Sequence, residues 1–238
     1  MDNKEYTFEF DKSICCWKNV CGLRDTNRCC AACPRYTKMH YLLGNSLLPK
    51  AWWLPKDFYT SEDNIDYEAH LRCFEIKNNI VDFVKKGKQL VIYGKSSGSG
   101  KTHISARLIL AYFGKIWELT AFRPRALFIQ LEKLFNEQKK SFTKESPYKD
   151  FIMANYEDVD LIIWDDIGLN EELNQQQYDL LFTIINDREL SGKANVFTTN
   201  KSKEELLNYL GERLYSRIVR SAEWIEFKGS DNRRADLW

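Results

Sequence analysis

The sequence lacks any apolar run of about 20 residues, the length that a helix needs to cross a lipid bilayer. Its N-terminus, MDNKEYTFEF, is charged and has no apolar centre like that of a secretion signal. An excess of one charge is also missing, since 35 basic side chains against 34 acidic ones leave a net charge of +1. A general nucleic-acid binder would be strongly basic, so any contact with DNA must come from a local patch. We expect a cytoplasmic protein with no membrane partner.

Internal repeats and low-complexity tracts are absent as well, and the 238 residues divide into three zones. Residues 1–48 contain a cluster of cysteines followed by a helical pattern. Residues 49–64 combine prolines with aromatic residues and show no clear period, which is typical of a linker. Hydrophobic residues make up 44% of the chain, and over residues 65–238 they recur regularly enough to build one sizeable core.

Short apolar strands alternate with helical segments throughout the third zone. The first helical pattern extends over residues 65–86. The predicted strands are residues 89–93, 126–130, 159–164, 195–198 and 223–227. Strands that alternate with helices imply a parallel sheet with helices on both faces, so the pattern predicts an α/β fold.

A glycine-rich loop lies between the first predicted strand and the helical segment that follows it. Its glycines let backbone amides approach phosphate oxygens, its lysine can reach the terminal phosphates, and its threonine hydroxyl can bind Mg²⁺. The loop residues are Gly98, Ser99, Gly100, Lys101 and Thr102. They predict an ATP site. Lys95 stands where the usual spacing has a first glycine, and the nearest earlier glycine is Gly94, so the loop entry is expected to have an unusual shape.

Polar residues follow the later strands. Asp165 and Asp166 end an apolar strand, which would place them at the carboxyl edge of a parallel sheet. We expect Asp165 to support Mg²⁺ and Asp166 to orient and polarise the attacking water. Asn200 ends the next strand and can bond that water or the terminal phosphate. Arg213 and Arg217 share one helix face, an arrangement that is also ordinary for a solvated helix.

The order and spacing of these motifs resemble the AAA+ ATPases of the DnaC/DnaI helicase-loader type, short forms of which are carried by bacteriophages. The resemblance covers residues 65–238. It rests on a phosphate loop ending in Gly-Lys-Thr-His, followed by Asp-Asp-Ile-Gly, Thr-Thr-Asn and Gly-Glu-Arg-Leu-Tyr-Ser-Arg-Ile. It implies an AAA+ P-loop fold with a five-stranded parallel sheet, helices on both faces and no C-terminal lid, preceded by a small zinc-binding module.

The same resemblance implies roles for individual residues. The expected catalytic residues are Asp166, Asn200 as the phosphate sensor, and Arg217 as an arginine finger that acts on a neighbouring subunit. The expected contacts to ATP and Mg²⁺ are Gly98, Ser99, Gly100, Lys101, Thr102, His103, Asp165 and Arg233, the last by its similarity to a terminal arginine motif.

Cysteine is plentiful at one place only, since six of the seven cysteines lie within residues 15–33. Structural Zn²⁺ takes four thiolate or imidazole ligands, and the spacing favours the set Cys16, Cys21, Cys30 and Cys33. Cys15 can replace Cys16, and Cys29 can replace Cys30, because spacing does not separate adjacent cysteines; His40 is a weaker substitute. An iron–sulfur cluster and unliganded cysteines are the alternatives. The seventh, Cys73, is expected in the core.

The resemblance implies an ATP-dependent loader that assembles into an oligomer, binds a DnaB-type replicative helicase and delivers it to single-stranded DNA when replication begins. The zinc module would engage the helicase or the DNA. One alternative is a transposition-helper ATPase of the IstB type, which assembles on duplex DNA and lacks the cysteine-rich segment. Another is a zinc-bearing DNA- or protein-binding module that uses ATP only as a switch.

Overall fold

A computed structural model describes residues 15, 21–22, 26–30, 32–53, 62–140, 145–169 and 172–229. The strands are β1 (Gln89–Tyr93), β2 (Ala126–Gln130), β3 (Leu161–Ile167), β4 (Ala194–Thr199) and β5 (Ala222–Glu226). The helices are α1 (Pro34–Gly44), α2 (Tyr67–Asn78), α3 (Ile80–Lys85), α4 (Lys101–Ile116), α5 (Leu131–Lys140), α6 (Pro147–Asn155), α7 (Gln175–Leu190) and α8 (Lys203–Val219). A short 3₁₀ turn, Lys50–Trp52, follows α1.

The five strands form one sheet in the order β2-β3-β4-β1-β5, and every neighbouring pair is parallel. Strands β1, β2, β3 and β4 are buried along almost their whole length because both faces of the sheet are covered there, as parallel sheets require, whereas the edge strand β5 is mostly only partly buried. β1 lies between β4 and β5, and β4 lies between β1 and β3. The carboxyl ends of β1, β3 and β4 therefore meet at one edge, where the predicted site residues follow each strand.

Two hydrophobic clusters pack on the two faces of the sheet. One is built from α1, α2, α3 and α4 with the strand residues that point to their side. The other is built from α5, α6, α7 and α8 with the alternate strand residues, including the fully buried Trp164. The predicted five-stranded parallel sheet with helices on both faces is confirmed.

The edge strand β2 is covered by the segment that follows α1. The backbone N–H of Phe128 donates to the carbonyl of Ser46 at 2.7 Å, and Ser46 is fully buried. Met39, Leu42 and Leu43 of α1 belong to the same core cluster as α4. Helix α1 is therefore packed onto the sheet domain, and the predicted domain boundary at residue 48 stays a prediction.

Several elements differ from the prediction, and for β4 and β5 the difference is one residue at each end. The helical pattern over residues 65–86 forms two helices, because the chain turns at Asn79, which has φ −107° and caps α2. Strand β3 begins at Leu161 and continues through both aspartates to Ile167. Helix α6 was not predicted, since its nine residues show only a short apolar pattern.

Across the parts of the chain given above, no helix is both long enough and apolar enough to span a membrane.

Candidate nucleotide-binding site

The glycine-rich loop connects β1 to α4 in the way that its sequence predicts. Gly98 and Gly100 have φ values of +87° and +92°, a region that residues with side chains rarely adopt, and Gly100 caps the N-terminus of α4. Helix α4 begins at Lys101, so its first backbone amides have no acceptor within the helix. These amides and the helix dipole make the loop a site for an anion.

Lys101 is held over the loop by the loop's own oxygens. Its Nζ donates to the carbonyl oxygens of Gly94 and Ser96, each at 2.9 Å, and to Ser99 Oγ at 3.0 Å. Lys101 is only 5% exposed, so its positive charge is buried against the loop. A bound phosphate would offer this ammonium group charged oxygens in place of neutral carbonyls, a stronger kind of hydrogen bond.

The unusual loop entry has a packing reason. A Cβ atom added to Gly94 would lie 2.1 Å from the carbonyl oxygen of Phe227, so this position admits only glycine. Gly94 N–H also donates to the carbonyl of Thr199 at 3.2 Å. Gly94 thus fits between β4 and the residue after β5, while Lys95 is exposed to solvent. Gly94, the first glycine of the loop, is therefore needed for the close contact with Phe227 and Thr199.

Asp165 is the more deeply buried member of the acidic pair, with 3% of its surface exposed. Its pKa is raised to about 6, chiefly by burial and also by the neighbouring charge of Asp166. Hydrogen bonds from Thr198 and Thr102, together with the charge of Lys101, act in the opposite direction. The carboxylate of Asp165 and the hydroxyl of Thr102 therefore face each other, and both are oxygen ligands that suit Mg²⁺.

Asp166 adopts a left-handed backbone conformation with φ +59°, which is uncommon for residues other than glycine and asparagine. The pairing of β3 with β4 shifts between Trp164 and Ile167, so Asp166 lies in an irregularity of the strand. Because of this conformation, the Asp166 side chain departs from the regular alternation of side chains along β3. It directs two consecutive carboxylates to different positions at the sheet edge.

Thr198 joins the two aspartates and was not predicted as a site residue. Its Oγ1 donates to Asp165 Oδ1 at 2.8 Å and accepts the backbone N–H of Asp166 at 2.9 Å. The residue is fully buried on β4. The sequence signal was available, because Thr198 is the first threonine of the Thr-Thr-Asn motif, but the pattern does not reveal that its side chain points at β3.

Asn200 follows β4 at the same edge. Its Oδ1 atom is buried and has no hydrogen-bond partner within the described part of the chain. The preceding residue, Thr199, donates its hydroxyl to the carbonyl of Ile167 at 2.6 Å, so this hydroxyl is used by the backbone. A buried amide oxygen without a donor is costly unless a ligand or water supplies one. The donor set at this edge therefore fits ATP, Mg²⁺ and an attacking water.

Arg217 lies on α8 and faces α7. Its Nε donates to Asn186 Oδ1 at 3.0 Å and lies 3.6 Å from Glu189 Oε2. Both partners belong to the C-terminal half of α7, which leads directly into the amino end of β4. Arg217 is thus held near the edge opposite its own phosphate loop. Arg213 instead lies 5.2 Å above the ring of Phe182.

The predicted zinc ligands are only partly covered. Among the described cysteines, Cys21, Cys29, Cys30, Cys33 and Cys73 are free thiols. No group of three or more histidines, cysteines or acids among the described residues lies close enough to hold a metal ion. Cys30 and Cys33 are joined by a turn in which Cys33 N–H donates to the Cys30 carbonyl at 3.0 Å. Cys16 and the predicted phosphate-sensing Arg233 both lie outside the described residues.

Three features lie at one edge of the sheet: the phosphate loop, the acidic pair and the polar residues at the end of β4. Together with the fold, they define a P-loop ATP-binding domain of the AAA+ class. A family model for IstB-like ATP binding proteins matches residues 62–236. The chain belongs to this family. It is an ATP-binding protein with the residues of an ATPase at its site.

Comparison with solved structures supports the same fold. The DnaC helicase loader superimposes with a TM-score of 0.60 at 24% identity, over 76% of this chain and 100% of that one. DnaI gives a TM-score of 0.52 at 20% identity, over 73% of this chain and 88% of that one. Domain III of the replication initiation protein DnaA from Thermotoga maritima gives a TM-score of 0.54 at 21% identity, over 81% of this chain and 68% of that one.

One curated relative is much longer than this chain. The chromosomal replication initiator protein DnaA of Mycoplasma genitalium is 28% identical over 178 residues, which are 74% of this chain. The chain spans 37% of the length of that relative. The resemblance of the fold to helicase loaders and replication initiators is confirmed.

Proposed function

We propose that the protein is an ATP-dependent loader that binds a DnaB-type replicative helicase and delivers it to single-stranded DNA when replication begins. The observation that carries this proposal is the agreement of its fold with the DnaC helicase loader over the whole of that solved chain. The site supplies the ATPase that such a loader needs. We place this activity in the cytoplasm of a bacterial or phage-infected cell.

The residues at the sheet edge divide the work of ATP hydrolysis. Bound ATP supplies the phosphoryl group, and Mg²⁺ held near Thr102 and Asp165 neutralises charge on it. Lys101 exchanges its carbonyl partners for the terminal phosphates. Asp166 orients the attacking water and accepts its proton, and Asn200 Oδ1 accepts a second hydrogen bond from the same water.

Hydrolysis by this site is proposed to require assembly. Arg217 is held at the edge opposite its own phosphate loop, so it can serve a neighbouring subunit more readily than its own. An arginine that contacts the terminal phosphate stabilises the charge that develops there. Side-by-side subunits would therefore complete one another's sites, with Arg233 as a further phosphate contact.

A zinc ion is proposed to order the cysteine-rich segment before α1. The ligand set is Cys16, Cys21, Cys30 and Cys33. The turn between Cys30 and Cys33 supports it, because zinc sites often take two ligands from one such turn. A segment of this size gains most of its folding free energy from the metal. This segment would contact the helicase or the DNA.

Co-purification with the replicative helicase tests the proposal. The tagged protein is mixed with a DnaB-type helicase, ATP and Mg²⁺, and the complex is isolated with and without single-stranded DNA. We expect a stable complex for the wild type and a complex that no longer releases the helicase onto DNA for Asp166→Asn. The control, Asp158→Asn, changes an exposed residue at the opposite edge and should behave as the wild type does.

A second function is favoured by the family match itself, since the matching model is that of IstB-like ATP binding proteins. In that case the client is a transposase and the protein assembles on duplex DNA. The same experiment separates the two functions. If no helicase is retained and duplex DNA promotes assembly in the presence of ATP, the loader proposal fails and the transposition-helper function replaces it.

A further inference from the structure

Two adjacent tryptophans follow α1 and have different surroundings. Trp53 is 7% exposed, and its Nε1 donates to the carbonyl of Leu48 at 2.9 Å. Its ring also meets the edge of His40 at 5.4 Å. Trp53 therefore anchors the segment to the core. Trp52 is only partly buried and packs against the same core cluster that contains Trp53.

The ring of Trp52 lies beside the first turn of α4. Its centroid is 5.2 Å from that of His103, and the two planes are inclined by 52°. His103 comes two residues after Lys101, within the turn whose free amides receive the phosphates. The segment that carries Trp52 thus lies beside the first turn of α4, next to the phosphate loop.

The phosphate contacts of the loop cannot recognise a base. Gly98, Gly100 and the amides of α4 bind phosphate through the backbone, and Lys101 does so through its charge. A base needs an apolar or aromatic surface to cover its face. Within the described residues, Trp52 and His103 are the pair of rings that meets beside this loop.

We propose that Trp52 stacks on the adenine of bound ATP and, together with His103, forms the wall of the base pocket. This role deepens the ATP site and rests on nucleotide binding at the phosphate loop, not on the helicase. It also gives the segment after α1 a direct contact with the nucleotide. Stacking of a base on an aromatic side chain changes affinity by about ten-fold or more.

Two ligands that share the phosphates and differ in the base test this role. Binding of AMPPCP and of inorganic tripolyphosphate, each with Mg²⁺, is measured by calorimetry for the wild type, Trp52→Phe and Trp52→Ala. We expect Trp52→Ala to weaken AMPPCP binding about ten-fold and Trp52→Phe to weaken it less than about three-fold. Tripolyphosphate should bind all three proteins equally, because it has no base.

The control is Phe122→Ala, which removes another exposed aromatic ring beyond the opposite end of α4 and should leave both ligands unaffected. Unchanged AMPPCP affinity in Trp52→Ala overturns the proposal. A parallel loss of both ligands overturns it too, since Trp52 would then act on the shape of the loop. Melting temperatures identify a variant that fails to fold, and Trp52→Phe keeps the test informative in that event. No helicase is present, so the result is independent of the loader proposal.

Discussion

At the scale of single residues, the two aspartates of the site have different environments although they are adjacent. Asp165 is buried against Thr102, Thr198 and Lys101, whereas Asp166 is partly exposed and has a left-handed backbone. These environments suit the roles proposed above, with Asp165 near the metal ion and Asp166 near the water. The cost is a buried carboxyl group whose pKa is raised to about 6.

That raised pKa predicts how Asp165 affects stability. Its reference pKa is 3.8, so the folded protein without Mg²⁺ retains this proton to a higher pH than the unfolded chain. The stabilisation is fully present below about pH 4 and is lost as the pH rises through about 6. Asp165→Asn should therefore raise the free energy of unfolding at pH 8 by on the order of 2 kcal/mol, and by about half as much at pH 5.

Urea unfolding without nucleotide measures this change, and a repeat with Mg²⁺ and AMPPCP measures its functional cost. The ligand should stabilise the wild type and no longer stabilise Asp165→Asn to the same extent, because the amide does not replace the metal ligand. Asp158→Asn, an exposed control, should differ from the wild type by less than about 0.5 kcal/mol at both pH values. A loss of stability in Asp165→Asn at pH 8 would contradict the prediction.

The residue pattern predicted the loop and the acidic pair but could not predict how they are held. Glycine, lysine and threonine at fixed spacing indicate a phosphate site because few other structures need them in that order. Thr198 and the contact of Gly94 with Phe227 depend on which strands are neighbours. That information is in the order of the strands, which the local sequence does not contain.

At the scale of elements, α8 carries the candidate arginine finger on its second half. Gly211 interrupts the helix with φ +70° and ψ 158°, so two helical segments meet at an angle there. Ser202 and Glu205 form a capping box at the start of the first segment. The second segment directs Arg217 to Asn186 and Glu189 of α7.

Arg217→Ala should bind ATP with wild-type affinity and lose ATPase activity by about 10³-fold in the assembled protein. Alone, Asp166→Ala should also be inactive, since its own site lacks the residue that orients water. Mixing the two variants should restore part of the activity, because each supplies what the other lacks. Phosphate release from the mixture is the measurement.

Arg220→Ala is the matched control, because Arg220 also lies near Glu189, at 3.9 Å, but its side chain is 76% exposed. It should retain activity close to that of the wild type. A mixture that stays inactive would show that Arg217 does not act between subunits. Loss of ATP binding in Arg217→Ala would exclude the finger role altogether.

Helices and strands were predicted correctly where the apolar periodicity extended over many residues or where charged and polar residues bounded a strand. β1 and β2 have the predicted limits because apolar residues end abruptly there. The helix expected over residues 65–86 was divided at Asn79, since apolar periodicity continues across the turn between α2 and α3. Periodicity reports which face is buried, and two short helices on the same face preserve it.

At the scale of the whole molecule, the cysteine-rich segment leads directly into α1. The carbonyl of Cys33 accepts the backbone N–H of Thr37, and α1 packs on the core that contains α4. Any order that a metal imposes near Cys33 is therefore transmitted to a helix that touches the ATPase domain.

Elemental analysis tests the metal. The wild type should contain about one zinc ion per chain, and Cys33→Ser should lose most of it and melt at a lower temperature. Comparison of Cys29→Ser with Cys30→Ser distinguishes the two adjacent candidates. Cys73→Ser is the control, because Cys73 is buried in α2 and should not affect the metal. Iron with visible absorbance would indicate a cluster instead, and no metal would leave the cysteines unliganded.

The hydrogen bond between Ser46 and Phe128 has a practical consequence for dissecting the protein. A fragment that begins at residue 65 would keep every motif of the ATPase yet leave the outer strand of the sheet with unpaired backbone groups. An open strand edge beside newly exposed apolar side chains is a template for intermolecular pairing. Such a fragment should aggregate, whereas one that begins before α1 should stay monodisperse. We therefore expect the smallest well-behaved ATPase unit of this chain to start near residue 34, upstream of its recognisable motifs.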